Sequence, residues 1–303
     1  KWMLTATPVQ NKANDLYALF YIACKLDGPT KLSSKSADVD KLIRLRNTYL
    51  LRRYKQEILH TLPSLEIENM VCKFVSDDEQ AFYMKIEKRT TEAFQAAMKR
   101  RGENHMIEVL ELLLRLRQTT CHPQLTIDGY KKKGIFVENL PDWEGPTTKM
   151  HYLEQNILKE MKETPNQYTL IFCQFRKEMS MIQDMIRRHG FTTFIYSGDT
   201  RQEAREDVVT GLLRPQFLIV QIKAGGAGLN LQMYNRTYIM SPDWNPSNEF
   251  QAIGRSHRSG QTKPVKVTRM LLHWNDAYIK HLKDVQKEIK KCDWCVDHKL
   301  YER

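Results

Sequence analysis

The chain has few of the residues that would tie it together covalently or carry it through a bilayer. Six of its 303 residues are cysteine, too few and too scattered for a disulfide framework. Cys24, Cys72, Cys121 and Cys173 stand singly in apolar surroundings, as reduced intracellular thiols do. No apolar run approaches the roughly 18 residues of a spanning helix and none reads as a signal peptide, so neither a membrane-spanning nor a secreted chain is expected. No Gly-Lys pair occurs anywhere, which excludes a GxxxxGK[ST] phosphate loop within these residues. No Ser/His/Asp or Cys/His set has the context of a catalytic nucleophile, and there is no internal repeat or low-complexity tract.

Positive charge is what the chain has in excess. Lys plus Arg less Asp plus Glu is 47 − 36, a net charge of +11, with a pI near 9.3. At 41% hydrophobic and 27% charged residues, it is a globular chain long enough for two or three domains. The charge fits a polyanionic partner, with nucleic acid first. Residue 1 is lysine and KWMLT (1–5) reads as the end of a strand, so a piece of something longer is expected.

Three textures follow one another. Residues 1–75 mix short apolar runs with turns, and Pro63 precedes a strand within LPSLEIENMVCKF. Residues 76–120 are helical: Ser76 with Glu79 three residues on predicts a capping box, and leucines recur at helical spacing in HMIEVLELLLRLRQ. Residues 125–147, with Gly129, Gly134, Gly145, Pro141, Pro146 and the run KKK, read as a loop or linker. From Thr148 the pattern becomes regular. Strands are expected at TLIFC (169–173), TTFIYS (192–197), FLIVQ (217–221), RTYIMS (236–241) and VKVTRMLL (265–272), with helices over 151–163, 176–189 and 201–213. Such alternation predicts βαβ units and a parallel sheet, with ligands and motifs beyond the strands' carboxyl ends.

The motifs are individually ambiguous. IKAGGAGLNL could bring backbone N–H groups close to an anion, but a plain strand-to-helix turn explains Gly225, Gly226 and Gly228 as well. DEQA (78–81) is no hydrolase acidic box, because it opens a helix and no apolar strand precedes it. Cys292-x-x-Cys295 with His298 is half of a zinc site at most, and no metal is assigned. Cys121-His122-Pro123 reads as the end of a buried helix. Trp244 in PDWNP is either a packing residue or a platform for a base or sugar. In QAIGRSHRSGQ, Gln251, Arg255 and Arg258 fall at i, i+4 and i+7, on one face of a helix. Two guanidiniums there repel by a few tenths of a kcal/mol, and Gly254 costs that helix about 1 kcal/mol. Either an anion sits in front of them or this is a solvated basic face.

Taken in order, the fragments resemble the second half of the SWI/SNF-type ATPases of helicase superfamily two. LTATPVQN (4–11) is similar to the family's third motif, which usually has glycine where Ala6 stands. YLLRRYKQEIL with LPSLE resembles the segment closing the first RecA-like lobe. LLRLRQTTCHP (113–123) resembles the helical protrusion's signature in the termination-factor and Lodestar-like subgroup. TKM (148–150), LIFCQF (170–175), YSGDTRQEAR (196–205), KAGGAGLNL (223–231), DWNP (243–246) and QAIGRSHRSGQ follow. The likeness covers residues 1 to about 272. The lack of a RING-type insertion resembles the short viral members called global transactivators.

The resemblance implies an α/β fold: a RecA-like second lobe with a parallel sheet over 148–275, preceded by the remainder of lobe one (1–75) and a helical protrusion and linker (76–147), and followed by a bracing helix and tail (276–303). It implies that Arg255 and Arg258 are arginine fingers toward an ATP γ-phosphate, with Gln251 orienting the same face and Gly228 and Asn230 lining the nucleotide cleft. It places Gln174, Gly198, Thr200, Lys223 and Trp244 on the surface that grips double-stranded DNA. ATP and Mg²⁺ would be held mainly by an upstream lobe carrying the Walker A lysine and the acidic box, so these residues alone are not expected to hydrolyse ATP. Nucleosomes or other DNA-bound proteins are the implied targets, and a nuclear location (the host nucleus if viral) follows only from that substrate. The rival readings are an ATPase-dead nucleic-acid-binding regulator, a strand-separating helicase, and a protein acting on RNA.

Overall fold

The computed structural model describes residues 1–5, 8–9, 13–26, 36–53, 62–99, 104–134, 141–224 and 229–273. The expected Cys292, Cys295 and His298 group, the bracing helix and tail, and Gly228 lie outside the described residues. Two compact units are present, one of Lys1–Asn69 with Leu158–Arg269 and one of Met70–Ile157 with Met270–Arg303.

The first unit is built on a sheet. Strands β1 (Leu65–Lys73), β2 (Thr169–Cys173), β3 (Thr193–Tyr196), β4 (Phe217–Gln221), β5 (Arg236–Ile239) and β6 (Val265–His273) stand in the order β1-β6-β5-β2-β4-β3. The pairings β2–β4, β2–β5, β3–β4 and β5–β6 are all parallel. TLIFC and FLIVQ are apolar along almost their whole length because helices cover both faces of a parallel sheet; every residue of β2 is buried. Helices α6 (Thr148–Glu163), α7 (Arg176–Arg188), α8 (Gln202–Thr210) and α9 (Pro246–Ser256) supply that cover. The core joins Leu170, Phe172, Leu218, Val220, Ile239 and Val267 to Ala252 and Ile253 of α9. Strand β1, expected with the remainder of lobe one, instead lies at this sheet's edge, where Thr268 donates to Glu68 at 2.7 Å and the Val265 amide to the Ser64 carbonyl at 2.9 Å. Ahead of the sheet lie α1 (Ala13–Cys24), which buries Leu16, Tyr17 and Phe20, and α2 (Ser36–Tyr49). Residues 1–5, expected to end a strand, have no regular structure.

The second unit contains α3 (Asp77–Lys99), α4 (Asn104–Cys121) and α5 (Pro123–Lys132). Helix α5 corrects the expectation of a loop from 125. Pro123 occupies the first turn, where its missing N–H costs nothing, and His122 caps the helix by accepting from the Gln124 amide at 3.1 Å. Gly129 does not break this helix. It lets the buried Arg115 guanidinium pass, since a Cβ there would lie 1.9 Å from Arg115 Nη1. The capping box is only half formed. Ser76 Oγ accepts from the Glu79 amide, but the Glu79 carboxylate accepts from the Thr148 amide at 2.8 Å and from its hydroxyl. Burial raises the Glu79 pKa, against those hydrogen bonds and the buried Lys149 ammonium.

Candidate nucleotide and nucleic-acid site

The carboxyl edge of the sheet gathers four loops. In spatial order they follow β5, β2, β4 and β3, and they present Trp244, Gln174, Lys223, and Gly198 with Thr200. At about 4.8 Å per strand this row is roughly 14 Å long. Its loops are tied to one another. Gln174 Nε2 donates to Asp243 Oδ2 at 2.9 Å, the Ile222 amide to the Cys173 carbonyl at 3.0 Å, and the Gly198 amide to Gln221 Oε1 at 3.4 Å.

Asp243 is the centre of the first tie. Its other oxygen accepts from the Asn245 amide and from Asn248 Nδ2, each at 2.9 Å, while its own amide donates to buried Glu249 at 2.7 Å. Glu249 in turn accepts from Arg269 at 2.9 Å. Trp244 stands between these anchored residues with 66% of its surface exposed. The β3 loop is clamped by Arg205, which donates to the carbonyls of Thr200, Ser197 and Gly198 at 2.8, 3.1 and 2.7 Å. Thr200 Oγ1 accepts from the Ser197 amide at 2.9 Å, closing the turn. Arg176 pairs with Asp199 on the same exposed surface. Lys223 is exposed in the turn after β4. Sequence reasoning did not single out Asp243, Glu249 or Arg205: Asp243 and Glu249 reach Gln174 and Arg269, 69 and 20 residues away, and Arg205 acts on backbone carbonyls, which leave no mark in the sequence. Asp243 and Arg205 do lie within the DWNP and YSGDTRQEAR motifs.

The arginine motif is elsewhere. Helix α9 ends at Ser256, so Arg258 does not share the helical face expected for it with Gln251 and Arg255. Nor does the motif lie at the strands' carboxyl ends. A crossover helix runs antiparallel to its strands, and α9 therefore delivers Arg255 to the end where β5 and β6 begin. Over its 11 residues it separates the motif from Trp244 by about 16 Å.

The segment after α9 folds back on the chain leading into β5. The Leu231 amide donates to the Arg255 carbonyl at 3.1 Å. Arg258 Nη1 donates to Asn230 Oδ1 at 2.7 Å. Buried Gln261 holds this turn by donating to the carbonyls of Gln232 at 2.7 Å and Ser256 at 3.1 Å. Arg255 and Arg258 remain close enough to feel each other: burial first, and the Arg258 cation second, hold the Arg255 pKa below its ordinary value. Gln251 is half-buried one turn before Arg255. Exposed Asn230 also lines an open depression of about 210 Å³ with Arg214, Gln232 and Tyr234. That is less than the ~300 Å³ of a small enclosed ligand site, so the depression does not by itself hold a nucleotide. Two adjacent guanidiniums suit a multivalent anion such as the phosphoryl oxygens of a nucleoside triphosphate. For Mg²⁺, no group of three or more His, Cys, Asp or Glu converges among the described residues.

A parallel sheet with covering helices, loops gathered at its carboxyl edge and an arginine pair at the opposite end defines a RecA-like α/β domain. Residues 1–125 match the SNF2-related domain and residues 148–260 the helicase conserved C-terminal domain. The chain belongs to the SWI/SNF-type branch of helicase superfamily two. It is 28% identical over 296 residues to a probable global transactivator of Orgyia pseudotsugata multicapsid polyhedrosis virus, covering 93% of this chain and 58% of the relative. It is 29% identical to the chromodomain-helicase-DNA-binding protein 1-like of Danio rerio, over 89% of this chain and 26% of that one. The Sulfolobus solfataricus SWI2/SNF2 ATPase core in complex with dsDNA has the same fold, with a TM-score of 0.53 and 21% identity over 84% of this chain and 52% of that one. The chain thus spans little more than half of the viral relative and about a quarter of the Danio rerio one.

Proposed function

We propose that these residues form the C-terminal portion of an ATP-dependent translocase on double-stranded DNA. The observation that carries this reading is the arginine pair. Arg258 is pre-oriented by Asn230 and lies beside Arg255, whose pKa is held below its ordinary value by burial and then by the Arg258 cation. In this role the two guanidiniums spread over the γ-phosphoryl oxygens of ATP as charge develops, an effect of about 10³–10⁵ in rate for an arginine finger. Gly228 and Asn230 would line the same side of the nucleotide cleft, with Gln251 behind the arginines. ATP and Mg²⁺ would be held mainly by the upstream part of lobe one.

The row of Gln174, Gly198, Thr200, Lys223 and Trp244 would be the DNA grip. Its ~14 Å length matches about four base pairs at 3.4 Å rise. The net charge of +11 supports a polyanion, and the Sulfolobus neighbour was solved with duplex DNA. Residues 148–275 serve here as lobe two with β1 at the edge of its sheet, 76–147 as the protrusion and linker, the rest of 1–75 as the end of lobe one, and 276–303 as a brace. Nucleosomes or other DNA-bound proteins in the nucleus are the proposed targets.

The test is ATP hydrolysis by the full-length protein without nucleic acid, with single-stranded DNA and with duplex DNA, beside Arg258→Ala. Stimulation by duplex, lost in the variant, establishes motor and arginine together. No hydrolysis under any condition, with DNA binding retained, withdraws the enzyme reading in favour of a nucleic-acid-binding regulator. Displacement of a labelled strand would instead point to a separating helicase. Arginine-dependent turnover by the 303-residue chain alone would overturn the assignment of the catalytic lysine and acidic box to an upstream lobe.

A further inference from the structure

A second recess lies in the helical unit and includes none of the residues assigned above. It has a volume of about 250 Å³ and is lined by Phe82, Ile127 and Trp143, with Asp78, Asp142 and Glu144 among its walls. We infer that this recess receives the cationic side chain of a lysine or arginine from a basic segment of a partner protein.

The wall is built. Buried Gln124 accepts from the Trp143 amide at 2.6 Å and donates to Asp142 at 2.7 Å, which fixes the loop against α5. Trp143 Nε1–H is used within the loop, donating to the Gly145 carbonyl at 2.7 Å. The indole ring lies 5.8 Å from Phe82, tilted by 57°. The recess therefore offers aromatic carbon rather than an N–H donor. Its volume is below the ~300 Å³ of a small-molecule pocket but suits one extended side chain with an apolar stem.

Charge decides what the stem carries. Asp142 is already answered by Lys131 at 2.7 Å. Asp78 and Glu144 are exposed and have no ion-pair partner among the described residues. The positive end of α3, next to Asp78, offsets only about half a charge. A net negative, aromatic-lined notch on a chain of net charge +11 repels phosphate and attracts a cation, for which carboxylates and ring faces are the two standard receivers. A basic protein segment fits this description and DNA does not. The inference goes beyond the motor reading and does not depend on it.

The test uses the 303-residue chain and fluorescence anisotropy of a labelled lysine-rich peptide, with the same peptide carrying glutamine at each lysine as control. Asp78→Asn/Glu144→Gln removes the unanswered charge without touching the core, and Trp143→Leu removes the indole. Duplex DNA binding is read in parallel. The expected result is measurable binding of the lysine peptide alone, weakened about five- to ten-fold in each variant, with DNA affinity unchanged. Equal binding of the glutamine peptide, equal binding by the double variant, or no binding by the unaltered chain would each overturn it. Should Trp143→Leu fail to fold, the double variant still decides. Loss of ATPase in Arg258→Ala bears only on the motor reading.

Discussion

The two ends of the sheet are built on opposite plans. At the carboxyl edge, polar side chains answer one another: Asp243 receives Gln174, Asn245 and Asn248, Glu249 receives Arg269, and Arg205 binds three carbonyls of one loop. At the amino end, Arg255 and Arg258 are like charges placed side by side, and burial adds to the cost of charging Arg255. The first end is a rigid platform complete in itself. The second keeps an electrostatic conflict that an anion would relieve. Such local conflict marks functional sites more often than structural ones.

That contrast can be broken by mutation. The largest effect belongs to Arg258→Ala in the full-length protein, where duplex-stimulated ATP turnover should fall by about 10³-fold with DNA affinity retained. An equal loss of DNA binding would mean that the two ends are not separate sites. Next comes Asp243→Ala, which strips the acceptor from three hydrogen bonds. Melting should fall by about 1–3 kcal/mol of stability and DNA affinity by roughly ten-fold, measured by thermal unfolding and by anisotropy. An unchanged affinity would remove the platform role.

Gly198→Ala sharpens the point further. A Cβ at Gly198 would meet nothing nearer than 4.0 Å, so the fold does not need glycine there. Stability should stay within about 0.5 kcal/mol, whereas DNA affinity should fall about five-fold if a phosphate backbone approaches this turn. Smallest is Lys223→Ala, expected to weaken binding a few-fold for all sequences. The slope of log affinity against log salt should drop by about one, a signature that Gly198→Ala should not share.

Much of the fold was legible in the residues. The strands TLIFC and FLIVQ lie where their unbroken apolar runs put them, since only a strand covered on both faces reads that way. Helix α5 was not legible, because Gly129 and the KKK run imitate a linker. The glycine's real purpose is room for Arg115, a contact from the preceding helix. Periodicity also carried the arginine helix too far, past Ser256, because a regular spacing contains no stop signal that outweighs the turn held by Gln261. Glu79 looked like a helix cap and became a buried acceptor for Thr148, 69 residues away.

By itself the sequence determined the parallel α/β order, the positive charge and the family-like series of motifs, since each depends on composition or on neighbours a few residues apart. Only the tertiary structure decided which motifs share a surface. Strand direction and crossover placed the arginines at one end of the sheet and Trp244 at the other. Contacts spanning 28 residues, from Arg258 to Asn230, and 69 residues, from Gln174 to Asp243, then fixed their side chains. Hydrophobic spacing tells a segment which face to bury, but not which distant polar group it will meet there.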